Sequence, residues 1–205
     1  MTDDAALLKG PDGRRRCWWA VSAPEYVAYH DEEWGRPVIG DDGLYERLCL
    51  EGFQSGLAWI TILRKREGFR RAFSGFDIDS VAGFGERDVE RLMADASIVR
   101  NRLKIEAAIE NARCAVEVRE ELGSLAALIL PYRERRPAPR TRGDLPPTSE
   151  KSVALSRELK RRGFRFVGPT TVYATMQACG LVNDHIAGCV VRGEVEREQR
   201  AACRR

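Results

Sequence analysis

Apolar positions recur at helical spacing through most of this chain and nowhere alternate convincingly as a strand would. The run L-Y-E-R-L-C-L-E-G-F-Q-S-G-L-A-W-I-T-I-L-R-K-R, residues 44–66, predicts a helix from about Gly43 with Asp41 or Asp42 as its cap. Gly52 and Gly56 inside it each cost about 1 kcal/mol relative to alanine. They predict a break into two helices or a close backbone approach. A short helix is expected at D-V-E-R-L-M-A-D, and a longer one through R-L-K-I-E-A-A-I-E-N-A-R-C-A-V-E-V-R-E-E-L-G. On the longer one Ile105, Ala108, Ile109, Ala112 and Val116 form a stripe, and Gly123 is the stop. Five prolines in residues 131–147 exclude both helix and central strand, so this stretch reads as a loop. A helix from about Ser149 to Arg162 follows, then G-F-R-F-V-G, then a helix with Pro169 in its first turn and Gly180 just past its end. The fold class is all-α.

Composition narrows the setting. At 205 residues there is room for one generous domain or two small ones. Apolar content of 43% and charge of 32% exclude a disordered or membrane chain. No apolar run approaches the ~18 residues that span a bilayer. The N-terminus lacks the layout of a signal peptide, so a cytosolic chain without membrane partners is expected. Residues 1–15 and 193–205 are charged and have no long apolar face; they read as flexible tails around a single domain, 16–192. Net charge is only +3, but residues 157–165, R-E-L-K-R-R-G-F-R, hold five cations against one anion.

That basic stretch leads into the helix–G-F-R-F-V-G–helix segment at about 150–180. A tight hairpin there aims free backbone amides outward at a helix start, a ready phosphate site, and glycine permits close approach of a nucleic-acid backbone. The competing reading is an ordinary helical hairpin with a solvated basic face.

Histidine is scarce. His30 closes C-W-W-A-V-S-A-P-E-Y-V-A-Y-H, which opens on Cys17; the only other histidine, His185, lies four residues before Cys189. On a helix His185 and Cys189 would share one face, with Asn183 or Asp184 as cap. A Cys2His2 set suits tetrahedral Zn²⁺, although this spacing is not a zinc-finger pattern, and buried cysteines beside ordinary histidines are the alternative. A site filled by four protein ligands would be structural and would clip the two ends of the chain together.

Trp18, Trp19, Tyr26, Tyr29 and Trp34 crowd into 17 residues, and Trp59 follows. Such density fits a core, but also the stacking of an extruded base. Glu51, between apolar neighbours and beside Gly52, is out of place as a solvated carboxylate. In a pocket it could accept from an exocyclic amine and favour a cation.

With these residues in view, the chain resembles the bacterial 3-methyladenine DNA glycosylase I group of the helix-hairpin-helix glycosylase superfamily. The resemblance runs from about Cys17 to Cys189, through Y-V-A-Y-H-D-E-E-W-G, L-E-G-F-Q-S-G-L-A-W-I-T-I-L-R-K-R, N-R-L-K-I-E-A-A-I-E-N-A-R and L-K-R-R-G-F-R-F-V-G-P-T-T-V-Y-A-T-M-Q-A-C-G-L-V-N-D-H. It implies a helix-hairpin-helix glycosylase fold with one structural Zn²⁺ on Cys17, His30, His185 and Cys189, joining the N- and C-terminal segments. It implies base recognition by Glu51, with Tyr29, Trp34, Trp59 and Trp19 around the base. Gln54, Gly56 and Leu57 would approach the lesion, Leu57 as plug, and Gly163, Phe164, Gly168 and Thr170 would meet DNA. The expected reaction is hydrolysis of the N-glycosidic bond of 3-methyladenine in double-stranded DNA by a monomeric bacterial enzyme, with free 3-methyladenine as product. No lysine in or after the hairpin suggests a Schiff base, so no lyase activity is expected. Asp184 reads as serving the helix start before the zinc pair. Trp18, Ala58 and Leu130 stand where relatives often have glycine, serine and tryptophan, which leaves substrate breadth open. The alternatives are a non-catalytic, zinc-stabilised DNA-binding module, which gives Glu51 no task, and a zinc hydrolase, which needs a water-accessible metal.

Overall fold

The computed structural model describes residues 5–203. Ten α-helices follow a short hairpin: β1 (Leu7–Lys9), β2 (Arg15–Cys17), α1 (Pro24–Glu32), α2 (Asp41–Gln54), α3 (Trp59–Ala72), α4 (Ile78–Ala82), α5 (Glu86–Ala94), α6 (Arg102–Leu122), α7 (Leu125–Ile129), α8 (Glu150–Arg161), α9 (Pro169–Ala178) and α10 (Arg192–Ala202). The all-α expectation holds in that the described residues are mostly helical, with a two-stranded hairpin that it did not foresee. The long apolar run splits into α2 and α3 at residues 55–58, next to Gly56, whose φ of 81° favours glycine.

Asp41 and Asp42 are first-turn residues of α2, not its cap; Gly40 holds that position. Their carboxylates instead accept from the starts of other helices. Asp41 takes the amides of Leu125 and Ala126 at 3.0 Å each, and Asp42 that of Ile78 at 3.1 Å. Free amides at a helix start favour a carboxylate, so α2 is tied to α7 and α4 by charge as well as by packing.

Helix α6 forms the spine. Ile105, Ala108, Ile109 and Ala112 are buried as the stripe requires, while Val116 is only partly so and Cys114, Ala115 and Val118 complete the face. The main core gathers α2, α3, α6, α8 and α9 around Leu48, Phe53, Phe69, Phe73, Leu159 and Met176. A second, smaller core holds Cys17, Tyr29, Trp34, Ile186, Cys189 and Val195. It joins the two ends of the chain.

That smaller core corrects the expectation of flexible tails at 1–15 and 193–205. Residues 7–17 form an antiparallel hairpin, with Leu7 opposite Cys17 and Lys9 opposite Arg15. Its clasp is Arg16, 2% exposed, whose guanidinium grips Asp12 at 2.7 Å and Asp31 at 2.7–3.0 Å. Residues 192–202 are helix α10, anchored by the buried Val195 and by Gln199, whose Nε2 donates to the Gly35 carbonyl at 2.8 Å. One apolar anchor on a charged helix leaves little periodicity to read. The outermost residues, 1–4 and 204–205, lie outside the described residues.

Candidate active site

Between α1, the end of α2 and the start of α3 lies a cavity of about 490 Å³. Trp19, Tyr29, Trp34 and Trp59 all line it, and Glu51 lies among them. Trp19 meets Trp34 edge-on with centroids 5.0 Å apart, and Tyr29 leans on Trp59 at 5.4 Å. The Tyr26 hydroxyl accepts the Ile60 amide at 2.9 Å and so pins the first turn of α3 to α1. These contacts build an aromatic surround from residues up to 40 apart along the chain (Trp19 to Trp59).

Glu51 is 6% exposed and forms no ion pair or hydrogen bond among the described residues. Burial pushes its carboxyl up to about 8; the charge of Arg47, one turn earlier, pulls the other way. A carboxyl in this state is poised to ionise when a cation enters. It can also accept hydrogen bonds from the edge of a flat ring held by the indoles.

Trp18 and Tyr26 of the aromatic cluster also line the cavity, as do Ser22, Leu145 and Gln177, which the sequence did not single out. The Trp18 indole carries the Arg142 guanidinium above it at 5.2 Å. The W-W doublet was a usable signal for Trp18. Leu145 comes from the proline-rich loop and Gln177 from the uncharged helix α9, where nothing local marks them.

Beside the cavity, Gln54, Gly56 and Leu57 form the tip between α2 and α3. Gln54 Nε2 donates to the Leu57 carbonyl at 2.8 Å, and Leu57 is 38% exposed. Lys104 of α6 holds the tip from behind, its Nζ donating to the carbonyls of Phe53 at 2.9 Å and Ser55 at 2.5 Å.

The α8–α9 hairpin stands next to that tip. Gly163 has φ 93°, where a Cβ would lie 3.2 Å from Cys114 Sγ, so the turn requires glycine. Asn111 of α6 clamps the turn on both sides: its Nδ2 donates to the Arg165 carbonyl at 3.1 Å and its Oδ1 accepts the Arg165 amide at 2.7 Å. Gly168 caps α9 without a side chain, and Thr170 is exposed in the first turn. Phe164 departs from expectation as a DNA-facing residue. Its side chain is 3% exposed and packs in the core, while Phe166, at 39%, is the aromatic that faces out. The basic run is also less free than its composition suggests. Arg161 and Arg162 are paired with Glu158, and Arg162 also with Glu121, which leaves Arg157, Lys160 and Arg165 without an ion pair among the described residues.

At the other side of the aromatic wall, Cys17, His30 and Cys189 bring one donor atom each to within 4.8 Å of one another. The His185 ring lies 4.7 Å from that of His30, and its Nε2 is buried with no hydrogen-bond partner. Each imidazole is oriented through its other nitrogen, His30 Nδ1 on Asp31 at 2.7 Å and His185 Nδ1 on Asn183 at 3.1 Å. Burial, with His30 alongside, pushes His185 down to about 3, so it is a neutral imidazole. Of the two thiols, Cys189 is the one pushed down, by the hydrogen bond from Cys17 first and His30 after it. Cys17, His30 and Cys189 thus offer three convergent donors of the kind a tetrahedral, thiophilic cation takes, and His185, outside that group of three, offers its unpartnered Nε2 as a fourth.

The expected helix through His185 and Cys189 is absent; residues 181–191 are turns and extended backbone. Asp184 therefore caps no helix. It is buried, and it accepts from Tyr173 and Gln177 on α9.

The sequence model of the methyladenine glycosylase family matches residues 19–192. The DNA-3-methyladenine glycosylase 1 of Escherichia coli strain K12 is 46% identical over 177 residues, covering 85% of this chain and 95% of that one. A crystal structure of 3-methyladenine DNA glycosylase I superposes with a TM-score of 0.82 at 44% identity, covering 85% of this chain and 98% of the other. The Staphylococcus aureus 3-methyladenine DNA glycosylase I, in a structure addressing its recognition of 3-methyladenine, gives 0.83 at 31% identity over 86% of this chain and 96% of its own.

Proposed function

This chain belongs to the methyladenine glycosylase family, and from that premise we propose that it excises 3-methyladenine from double-stranded DNA as a monomer. It is a DNA glycosylase, a hydrolase acting on N-glycosyl bonds. The observation that carries this reading is Glu51, a buried carboxyl without an ion-pair partner among the described residues, in a cavity walled by Trp19, Tyr29, Trp34 and Trp59.

The substrate supplies the rest. Methylation at N3 leaves the base of the nucleotide positively charged, so the bond from C1′ to N9 already has a good leaving group. On cleavage the electron pair goes to N9 and neutral 3-methyladenine departs. Water adds to C1′ and gives up a proton, completing hydrolysis. No residue has to protonate the base. The work is to extrude the lesion, hold it, and stabilise positive charge as it passes from base to sugar.

Each group then has a part. Trp19, Tyr29, Trp34 and Trp59 enclose the base, and Glu51 accepts from its exocyclic amine and ionises in the field of the cation. Leu57, on a turn with Gln54 and Gly56, fills the space the base leaves. Gly168 and Thr170 bring backbone amides to phosphate from the turn that Gly163 forms, its own amide donating to the Lys160 carbonyl at 3.0 Å, with Arg157, Lys160 and Arg165 adding attraction independent of sequence. No lysine lies between Gly163 and His185 to form a Schiff base, in keeping with hydrolysis without lyase activity. The site of action is the bacterial cytoplasm. No helix among the described residues is long and apolar enough to cross a membrane.

Zinc belongs with Cys17, His30, His185 and Cys189 in this reading, supported by the orphaned His185 Nε2 and the oriented rings. When bound, it supplies coordinate bonds that join the β2 end to the segment before α10. All four positions come from protein, so it is structural.

The test is the identity of the base released from methylated duplex DNA. Free 3-methyladenine is expected, and Glu51→Gln should reduce its release by about 100-fold or more, as for loss of a buried charge that acts in the transition state. A wild-type protein that binds the DNA and releases no 3-methyladenine would overturn the assignment.

A further inference from the structure

Gln177, on α9, lines the cavity together with Glu51. Its Nε2 donates to Asp184 Oδ2 at 2.8 Å, and the Tyr173 hydroxyl donates to the same oxygen at 2.6 Å. Arg136 braces both, with its Nη1 donating to the Tyr173 oxygen at 2.7 Å and its Nε 3.3 Å from Asp184 Oδ1. Asp184 is itself 1% exposed. A carboxylate held in this way accepts and does not donate. The Gln177 amide must therefore turn its nitrogen to Asp184, which leaves Oε1 as the atom available to the cavity. Among the described residues Oε1 has no hydrogen-bond partner.

We propose that Gln177 Oε1 accepts a hydrogen bond from the exocyclic amine of the extruded base, and that Asp184 is the positioning residue that fixes the amide in that sense. The proposal rests on the reading of the cavity as the 3-methyladenine site. Its consequence is specificity. A 6-aminopurine offers two N–H groups where Glu51 and Gln177 both offer acceptors. A 6-oxopurine sets a carbonyl oxygen against the Gln177 carbonyl, and Asp184 prevents the amide from flipping to accommodate it. Buried acceptors left unpaired in this way discriminate strongly between otherwise similar ligands.

The experiment compares kcat/KM for release of 3-methyladenine and of 3-methylguanine from methylated DNA. In Gln177→Met, an apolar side chain of similar length, the preference for 3-methyladenine should fall about tenfold or more, with the melting temperature kept. An equal loss on both bases would make Gln177 merely structural and overturn the proposal. Asp184→Asn should also relax the preference, because asparagine tolerates either sense of the amide. Since Asp184 neighbours His185, the orientation is also read in the wild type: the Gln177 side-chain amide protons should exchange slowly, both free and with 3-methyladenine bound. Fast exchange in the free protein would refute the assigned orientation. Release of neither base by the wild type would instead overturn the cavity's assignment, an outcome distinct from an unchanged preference.

Discussion

The Trp34 indole meets the His185 imidazole edge to face, with centroids 4.6 Å apart. Trp34 lines the cavity and His185 packs on His30 of the Cys17, His30 and Cys189 cluster, so one wall borders both. Trp19 repeats the arrangement against His30 at 5.2 Å. The cluster thus reaches the cavity through packed rings.

Removal of metal should therefore be felt in the cavity. Chelation is expected to lower the melting temperature by about 5 °C or more, since each kcal/mol moves a domain of this size by about 2–4 °C. It should also weaken 3-methyladenine binding, followed by tryptophan fluorescence. A Cys17→Ser variant should reproduce both effects along with loss of bound zinc. Unaltered base affinity after complete metal loss would show that the shared wall does not couple the two sites.

Glu51 sets a pH dependence in two observables. Its folded carboxyl keeps a proton up to about 8, while in the unfolded chain it loses that proton near 4.5. Between these values the native state binds more protons, so stability falls as pH rises through the window. Glu51→Gln removes that loss, and urea unfolding at pH 8 should show the variant more stable than wild type, with the difference shrinking towards pH 4.5. Activity runs the other way: the ionised form favours the cationic base, so kcat/KM should climb with pH through about 8 and level above it, and the variant should lose the climb.

Gly168 offers a separation of binding from folding. Its φ is −62° and a Cβ there would meet nothing within 4 Å. Gly168→Ala should fold with a melting temperature within a few degrees of wild type, and bind DNA about tenfold more weakly if phosphate packs on that glycine. At Gly163 the strained φ and the nearby Cys114 predict instead a loss of stability. Fluorescence anisotropy on undamaged duplex, together with melting curves, tells the two outcomes apart.

Asn111→Ala strips both partners from the Arg165 backbone. Unsatisfied groups of this kind cost about 1–3 kcal/mol each when they cannot reach water. A loss of roughly 2 kcal/mol in chemical denaturation, with weakened DNA binding and unimpaired affinity for free 3-methyladenine, is the expected pattern.

Leu57→Ala should leave base affinity untouched and slow excision from duplex by about tenfold, because truncation removes the group that fills the vacated stack. Equal rates on a duplex and on a single strand, in both proteins, would remove Leu57 from the extrusion step.

Much of this was legible in one dimension. Helices α2, α3, α5, α6, α8 and α9 followed from apolar spacing and from stops such as Gly123, which has φ 87° at the end of α6, whereas α1, α4, α7 and α10 did not. Glu51 and the crowded tryptophans were conspicuous because each violates a local rule: a carboxylate among apolar residues, and aromatics too dense for one short segment. The hairpin was legible from its two glycines. Other features gave no local signal. Phe164 and Phe166 look alike in G-F-R-F-V-G, yet one is core and the other exposed, a choice made by where α6 and α2 lie. His185 and Cys189 have helical spacing and no helix. Their conformation answers to His30 and Cys17, more than 150 residues away.

The sequence alone determined the helical class, the glycine-bounded hairpin, the carboxyl chosen for the cavity and the scarce Cys and His residues chosen for the ends, because these depend on residue chemistry and on spacing within a turn or two. Only the tertiary structure decided how the ends are used. Arg16 turns the N-terminal segment into a clasp, α10 lies on Gly35, and Asp184 leaves its expected helix cap to hold Gln177. The reason is the same in each case: a buried charge or amide must find its partner wherever packing puts one, and the partner here is many residues away along the chain.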